Sequence, residues 1–132
     1  MAITSVEKLV AQANAMVTTL SPSDAISKQS DGGAILVDIR DIRELTREGK
    51  ITDAIHAPRG MLEFWFDPEC TYHRDVFAQS DKTFVLFCAA GWRSALAARS
   101  LVEMGFSNIA HIDGGFGGLK DAGATILEPD PK

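Results

Sequence analysis

The sequence predicts an α/β fold: a mostly parallel sheet with helices packed on both of its faces. Three observations carry that reading. Residues 34–39 (AILVDI) and 83–87 (TFVLF) are apolar without strict alternation, as expected of strands covered on both sides. Residues 109–112 (IAHI) form a third such run, and segments with helical caps or helical spacing separate the three. At 132 residues, with 45% hydrophobic and 23% charged residues, the chain has the size and balance of one soluble domain.

Taken in order, Thr4 and Glu7 have the spacing of a capping box, which predicts a helix over 4–14. The β-branched run 16–20 follows as a strand. Ser21 and Pro22 then read as an N-cap with proline at the first helical position, where its missing N–H is harmless. That helix stops at Asp31-Gly32-Gly33, ahead of the strand 34–39. Asp41 and Glu44 form a second capping box, for a short helix ending at Gly49. After the strand 83–87, Ala95, Ala98, Leu101 and Val102 recur at helical spacing. Gly105 suits the left-handed position past that helix, with Phe106 folding back onto Leu101. The polar tail 129–132 is expected to fray. The organisation is one domain over 1–132, with its core over about 16–127.

Charge and cysteine content narrow the function. The net charge of −5 repels phosphate backbones, which disfavours nucleic acid as a partner. The N-terminus shows no basic stretch leading into a long apolar run, so neither a signal peptide nor a membrane anchor is expected. Cys70 and Cys88 are too few for a disulfide framework and form no CxxC pair. A reducing cytoplasm with free thiols is the expected setting. His56, His73 and His111 lack metal-ligand spacing, so no metal is expected.

The chemistry concentrates in FCAAGWRSA. Cys88 stands where a buried strand ends and a helix starts, the place where open α/β sheets hold ligands against free helix N–H groups. Ala89, Ala90 and Gly91 are small enough for the backbone to curl around the sulfur, so that amides from Ala89 to Ser94 converge on it. Together with the helix dipole and Arg93, they favour thiolate over thiol. The plainer alternative is a cysteine that merely fills the core.

These residues resemble the rhodanese, or sulfurtransferase, family, and the likeness runs beyond the loop. VDIR at 37–40 with Glu44, GKITDAIHAPRG at 49–60 and GFSNIAHIDGGF at 105–116 resemble further family segments in the right order. The resemblance spans about residues 20–123 and implies a sheet of about five parallel strands. It implies that Cys88 takes a sulfane sulfur from a persulfide or thiosulfate donor and passes it to a thiol, cyanide or a protein acceptor. No metal or organic cofactor is implied. Ala89 to Ser94 would bind substrate, with Arg59 as a further cation. The spacing Cys88-x4-Arg93 resembles the sulfur-handling members, whereas the related phosphatases carry one more loop residue. A non-catalytic module of the same fold is the alternative, followed by a phosphatase or arsenate reductase. The chain departs from the family at Ala89, where thiosulfate-using members often carry a base. It departs again at Lys50, Asp53 and Leu119, where His, Gly and Trp are usual.

Several residues outside the loop admit two readings. Asp38 and Arg40 share a pleat face and either orient the active loop or serve architecture, Arg40 pairing with Glu44; the architectural role is favoured. Of Phe64, Trp65 and Phe66, one face cannot bury all three, so at least one should line a pocket or partner surface. Trp92 reads as a pocket wall near the sulfur. Cys70 reads as a loop residue rather than a resolving thiol, and His111 as a packed strand histidine. His73 next to Arg74 would add positive charge near the pocket.

Overall fold

A computed structural model describes residues 2–129; of the predicted tail 129–132, residues 130–132 lie outside them. The central sheet has five parallel strands in the order β1 (Thr18–Leu20), β6 (Ile109–Ile112), β5 (Thr83–Phe87), β2 (Ala34–Asp38) and β4 (Ile55–His56). This is the predicted architecture. Helices α1 (Val6–Met16), α2 (Pro22–Ser30), α3 (Ile42–Glu48), α4 (Leu62–Phe66), α5 (Trp92–Met104) and α6 (Gly115–Asp121) surround it. None among the described residues is long and apolar enough to cross a membrane. A two-stranded antiparallel ribbon, β3 (Lys50–Ile51) with β7 (Ile126–Leu127), closes the side.

Side-chain alternation along β5 divides the core. Phe84 and Leu86 face α4 and α5, where Leu62, Phe66, Ala97, Ala98 and Leu101 pack on them. Val85 and Phe87 face α2 and α6, against Ala25, Phe116 and Leu119. Cys88 continues the period of two and belongs to the α5 side. The strand's own pattern thus aims the sulfur at the start of α5. Leu119, at the position where tryptophan is usual in the family, is fully buried in the second layer.

Helix ends follow the sequence closely, with instructive shifts. Asp41 and Glu44 make the predicted capping box, and Ser21 caps α2 ahead of Pro22. Gly105 is left-handed, and the Phe106 amide returns to the Leu101 carbonyl. The first helix, however, is capped by Ser5, whose hydroxyl accepts from the Lys8 amide, not by Thr4. It also runs two residues further than predicted: the Val17 amide still reaches the Ala13 carbonyl, which delays β1 to Thr18. β2 ends at Asp38 rather than Ile39, although the Ile39 amide still bonds the Phe87 carbonyl. Asp53 occupies the left-handed region, φ 66°, which an aspartate tolerates better than most residues. That explains glycine as the usual family residue there.

Candidate active site

The site is built at the C-terminal end of β5. The chain leaves the strand at Cys88, turns through Ala89 and Ala90, and enters α5 after Gly91, whose φ of 132° only glycine adopts readily. The Gly91 N–H donates to Cys88 Sγ at 3.2 Å. Among the described residues it is the one loop amide bonded to the sulfur, a narrower cradle than the convergent amides expected from Ala89 to Ser94. Ser94, fully buried on the first turn of α5, brings its hydroxyl to 3.6 Å from the sulfur.

Two neighbours hold the loop from outside. Behind it, the Phe116 amide donates to the Cys88 carbonyl at 2.8 Å. A Cβ on Gly115 would collide with the Cys88 carbonyl oxygen and stand 2.6 Å from that of Ala89. In front, Arg93 grips Glu44 through two parallel bonds of 2.7 and 3.0 Å. That bond holds the Glu44 carboxyl below its ordinary range against the opposing effect of burial. It raises Arg93 in turn, with the neighbouring Cys88 side chain as a smaller contributor. Arg93 is thus held by its carboxylate clamp on the first turn of the helix that follows Cys88.

The comparisons with known proteins agree with this fold. The model of the rhodanese-like domain matches residues 21–122. The chain belongs to the rhodanese-like family. The thiosulfate sulfurtransferase GlpE of Pseudomonas entomophila is 35% identical over 97 residues, 74% of this chain and 79% of the relative. Among solved structures, the polysulfide-sulfur transferase homodimer of Wolinella succinogenes superposes with a TM-score of 0.69. It is 31% identical and is matched over 92% of this chain and 85% of its own. A Rhodopseudomonas palustris protein of unknown function, described as a possible tyrosine phosphatase, superposes with a TM-score of 0.89. It is 43% identical, over 96% of this chain and 97% of that one.

Within this rhodanese-like frame, Asp38 and Arg40 pair with each other. Both are buried, and Arg40 Nε and Nη2 fork onto the Asp38 carboxylate at 2.9–3.2 Å. Arg40 also bonds Glu48 at 3.1 Å and the Gly49 carbonyl at 2.9 Å, and its guanidinium lies 4.0 Å from the Phe116 ring centre. The expected Arg40–Glu44 pair does not form, because Glu44 is taken by Arg93. Arg59 is exposed at the start of a 3-10 turn, with its amide bonded to the Ile39 carbonyl. It thus sits at the same end of the sheet as Cys88.

Trp92 is 52% exposed. It walls a cavity of about 270 Å³ beside the loop, together with Asn14, Thr19, Gly91, His111 and Asp113. The aromatic triplet divides: Phe66 is buried, Trp65 lies under Arg74 at 3.6 Å, and Phe64 is half exposed. Cys70 is a free, half-buried thiol whose sulfur accepts from the Tyr72 amide at 3.4 Å. His73 bonds the Trp65 carbonyl at 3.0 Å and lines a separate cavity with Phe106 and Asn108, which precede β6, so it adds no charge beside the cysteine loop.

His111 is the residue beside the loop whose contacts sequence reasoning undervalued. It is buried as expected, but its Nδ1 lies 3.0 Å from Ser94 Oγ. Its Nε2 lies 2.8 Å from Asn14 Oδ1 and 3.2 Å from Thr19 Oγ1. Burial pushes the imidazole below its ordinary value. The available signal was a polar ring in an apolar strand, since a buried imidazole needs partners.

Proposed function

We propose that this protein carries sulfane sulfur on Cys88, from a persulfide or thiosulfate donor to a thiol, cyanide or protein acceptor. The supporting observation is the Cys88 sulfur, held by the Gly91 N–H at the N-terminus of a 13-residue helix whose second residue is Arg93. Donors aimed at one point stabilise an anion that forms there, and both a thiolate and a persulfide are such anions.

In the loading step the Cys88 thiolate attacks the outer sulfur of the donor. A new S–S bond forms, the donor's own S–S bond breaks, and the leaving sulfite or thiolate departs with the electron pair. In the second step the acceptor attacks the terminal sulfur of the Cys88 persulfide and the cysteine thiolate returns. Gly91 and Ser94 hold the sulfur, Arg93 and Arg59 attract anionic groups, and Trp92 shapes the approach. Ala89 and Ala90, both exposed, leave room for the donor. Each step exchanges one S–S bond for another or for a C–S bond, and the chain's own groups suffice for it. The cytoplasm fits this reading, because a persulfide carrier works among reduced thiols.

Intact-mass spectrometry after exposure to thiosulfate or a low-molecular-weight persulfide tests the proposal. A gain of one sulfur that is absent in Cys88→Ser, and lost on adding cyanide, is the expected result. No adduct with any donor would refute it and favour a binding module. The likeness to the R. palustris protein gives a phosphatase reading some weight, and its own arm is turnover of an aryl phosphate. The four residues between Cys88 and Arg93 favour sulfur over the wider cradle of phosphate.

A further inference from the structure

We infer that Cys88 loses its proton through a hydrogen-bonded wire, Ser94 to His111, that reverses direction as the thiol ionises and discharges into the cavity beside Trp92. The inference deepens the sulfur-carrier reading by naming how a sulfur in a residue only 1% exposed is made nucleophilic. The carrying observation is the pair of groups at His111 Nε2. Asn14 Oδ1, at 2.8 Å, accepts a hydrogen bond from the ring, whereas the Thr19 hydroxyl, at 3.2 Å, can donate one to it. Each tautomer of a neutral His111 therefore has a partner waiting, which a merely packed histidine does not require.

In the thiol state Nε2–H donates to Asn14 Oδ1, and Nδ1 accepts the Ser94 hydroxyl at 3.0 Å. Ser94 Oγ then accepts the Cys88 S–H at 3.6 Å. On ionisation the S–H bond breaks as its proton passes to Ser94 Oγ, and the former Ser94 proton passes to His111 Nδ1. The Nε2 proton leaves to solvent in the cavity lined by Asn14, Thr19, Trp92 and Asp113. One proton departs, no electrons are transferred, and Cys88 keeps the bonding pair as thiolate. Every bond in the wire now points the other way: Thr19 to Nε2, Nδ1 to Ser94, and Ser94 to the thiolate. The Gly91 carbonyl, 3.2 Å from Ser94 Oγ, competes for the same hydroxyl proton and keeps the serine poised between partners.

The ring works as a neutral relay. Burial lowers its proton affinity, and Asp113, on the turn after β6, is the charge that opposes this. Helix α1 offers the ring Asn14, β1 offers Thr19 and α5 offers Ser94, all uncharged, while Cys88 is the titratable group at the far end of the wire. His111 and Ser94 are thus positioning residues, acting on the sulfur through their hydrogen bonds.

Asn14 and Thr19 are exposed, so their variants test the wire without disturbing the core. Asn14→Leu removes the partner of the thiol-state tautomer, and Cys88 should alkylate with iodoacetamide about threefold faster below the midpoint of its pH profile. Thr19→Val removes the partner of the thiolate-state tautomer and should slow it about threefold, each being the effect of one neutral hydrogen bond. Rates at high pH should converge. Nitrogen NMR of His111 should show the ring proton moving from Nε2 to Nδ1 at the same midpoint, and not in Cys88→Ser. Shifts of the two variants in the same direction, no shift in either, or a ring that keeps its proton on Nε2 throughout would overturn the wire. No sulfur donor enters these measurements, so failure of the sulfur-carrier reading leaves their outcome untouched.

Discussion

Replacing Arg40 with methionine should be among the most damaging single changes outside the active loop. The side chain gives Asp38 three contacts of 2.9–3.2 Å from two nitrogens. Its loss leaves that carboxylate, in a residue 1% exposed, with the Arg40 backbone amide at 3.0 Å. Glu48 is 41% exposed and regains water, so its share is small. The orphaned Asp38 charge dominates, and breaking a buried pair from one side costs about 3–5 kcal/mol. For a chain of this length that corresponds to a fall in Tm of roughly 10–20 °C. Urea and thermal unfolding of Arg40→Met check the size. The double change Asp38→Leu with Arg40→Met should recover most of the loss, because it removes the stranded charge as well. A single variant destabilised by less than about 1 kcal/mol would refute the reasoning, as would a double variant less stable than the single. The consequence reaches the site, since Asp38 and Ile39 anchor the strand end beside Phe87 and Cys88.

Ala89→Arg should lower the KM for thiosulfate by about tenfold, the effect of one charge-assisted hydrogen bond on a dianion. Saturation of the unmodified protein at micromolar thiosulfate would show that Arg93 and Arg59 already suffice. Gly115→Ala puts a methyl group against the Cys88 and Ala89 carbonyls at a φ of 55°. It should slow loading of Cys88 by one to two orders of magnitude, about the loss expected when a reacting group is displaced by 1 Å. Stability should fall in acid in two stages, read as Tm against pH. His111 is neutral in native and unfolded chains above its ordinary 6.5. Below that the unfolded chain binds the proton more readily, so stability declines as pH falls through 6.5, and His111→Gln should flatten this limb. Glu44 is ionised in both states above its ordinary 4.5. The contribution of its pair with Arg93 is therefore complete there, disappears as pH falls further, and is absent in Glu44→Gln.

What the sequence disclosed and what it withheld divide along physical lines. The unalternating run in β5 and the small residues after Cys88 are local signals, and they located the sulfur, its strand and its helix. Caps at Ser21 and Asp41 were legible for the same reason. Ribbon β3–β7 and strand β4 were not, since two-residue strands carry no periodicity and exist by virtue of their partners. Glu44 was legible as a capping residue, but its clamp on Arg93 joins positions 49 residues apart. His111 is the extreme case: its partners Asn14 and Thr19 stand 97 and 92 residues away, and no spacing rule connects them.

The family match begins at residue 21, whereas α1 and β1 precede it. A chain trimmed to the matched residues would keep the cysteine loop but lose its flank. Strand β1 is the outer rail of the sheet, and without it β6 would present a bare row of N–H and C=O groups to solvent. Such an edge recruits strands from other molecules. The loss of Val10 and Ala13 would also uncover Ala95 on α5. A shortened form would therefore seek its missing strand in a second copy of itself, and its insolubility would be a property of the cut rather than of the fold.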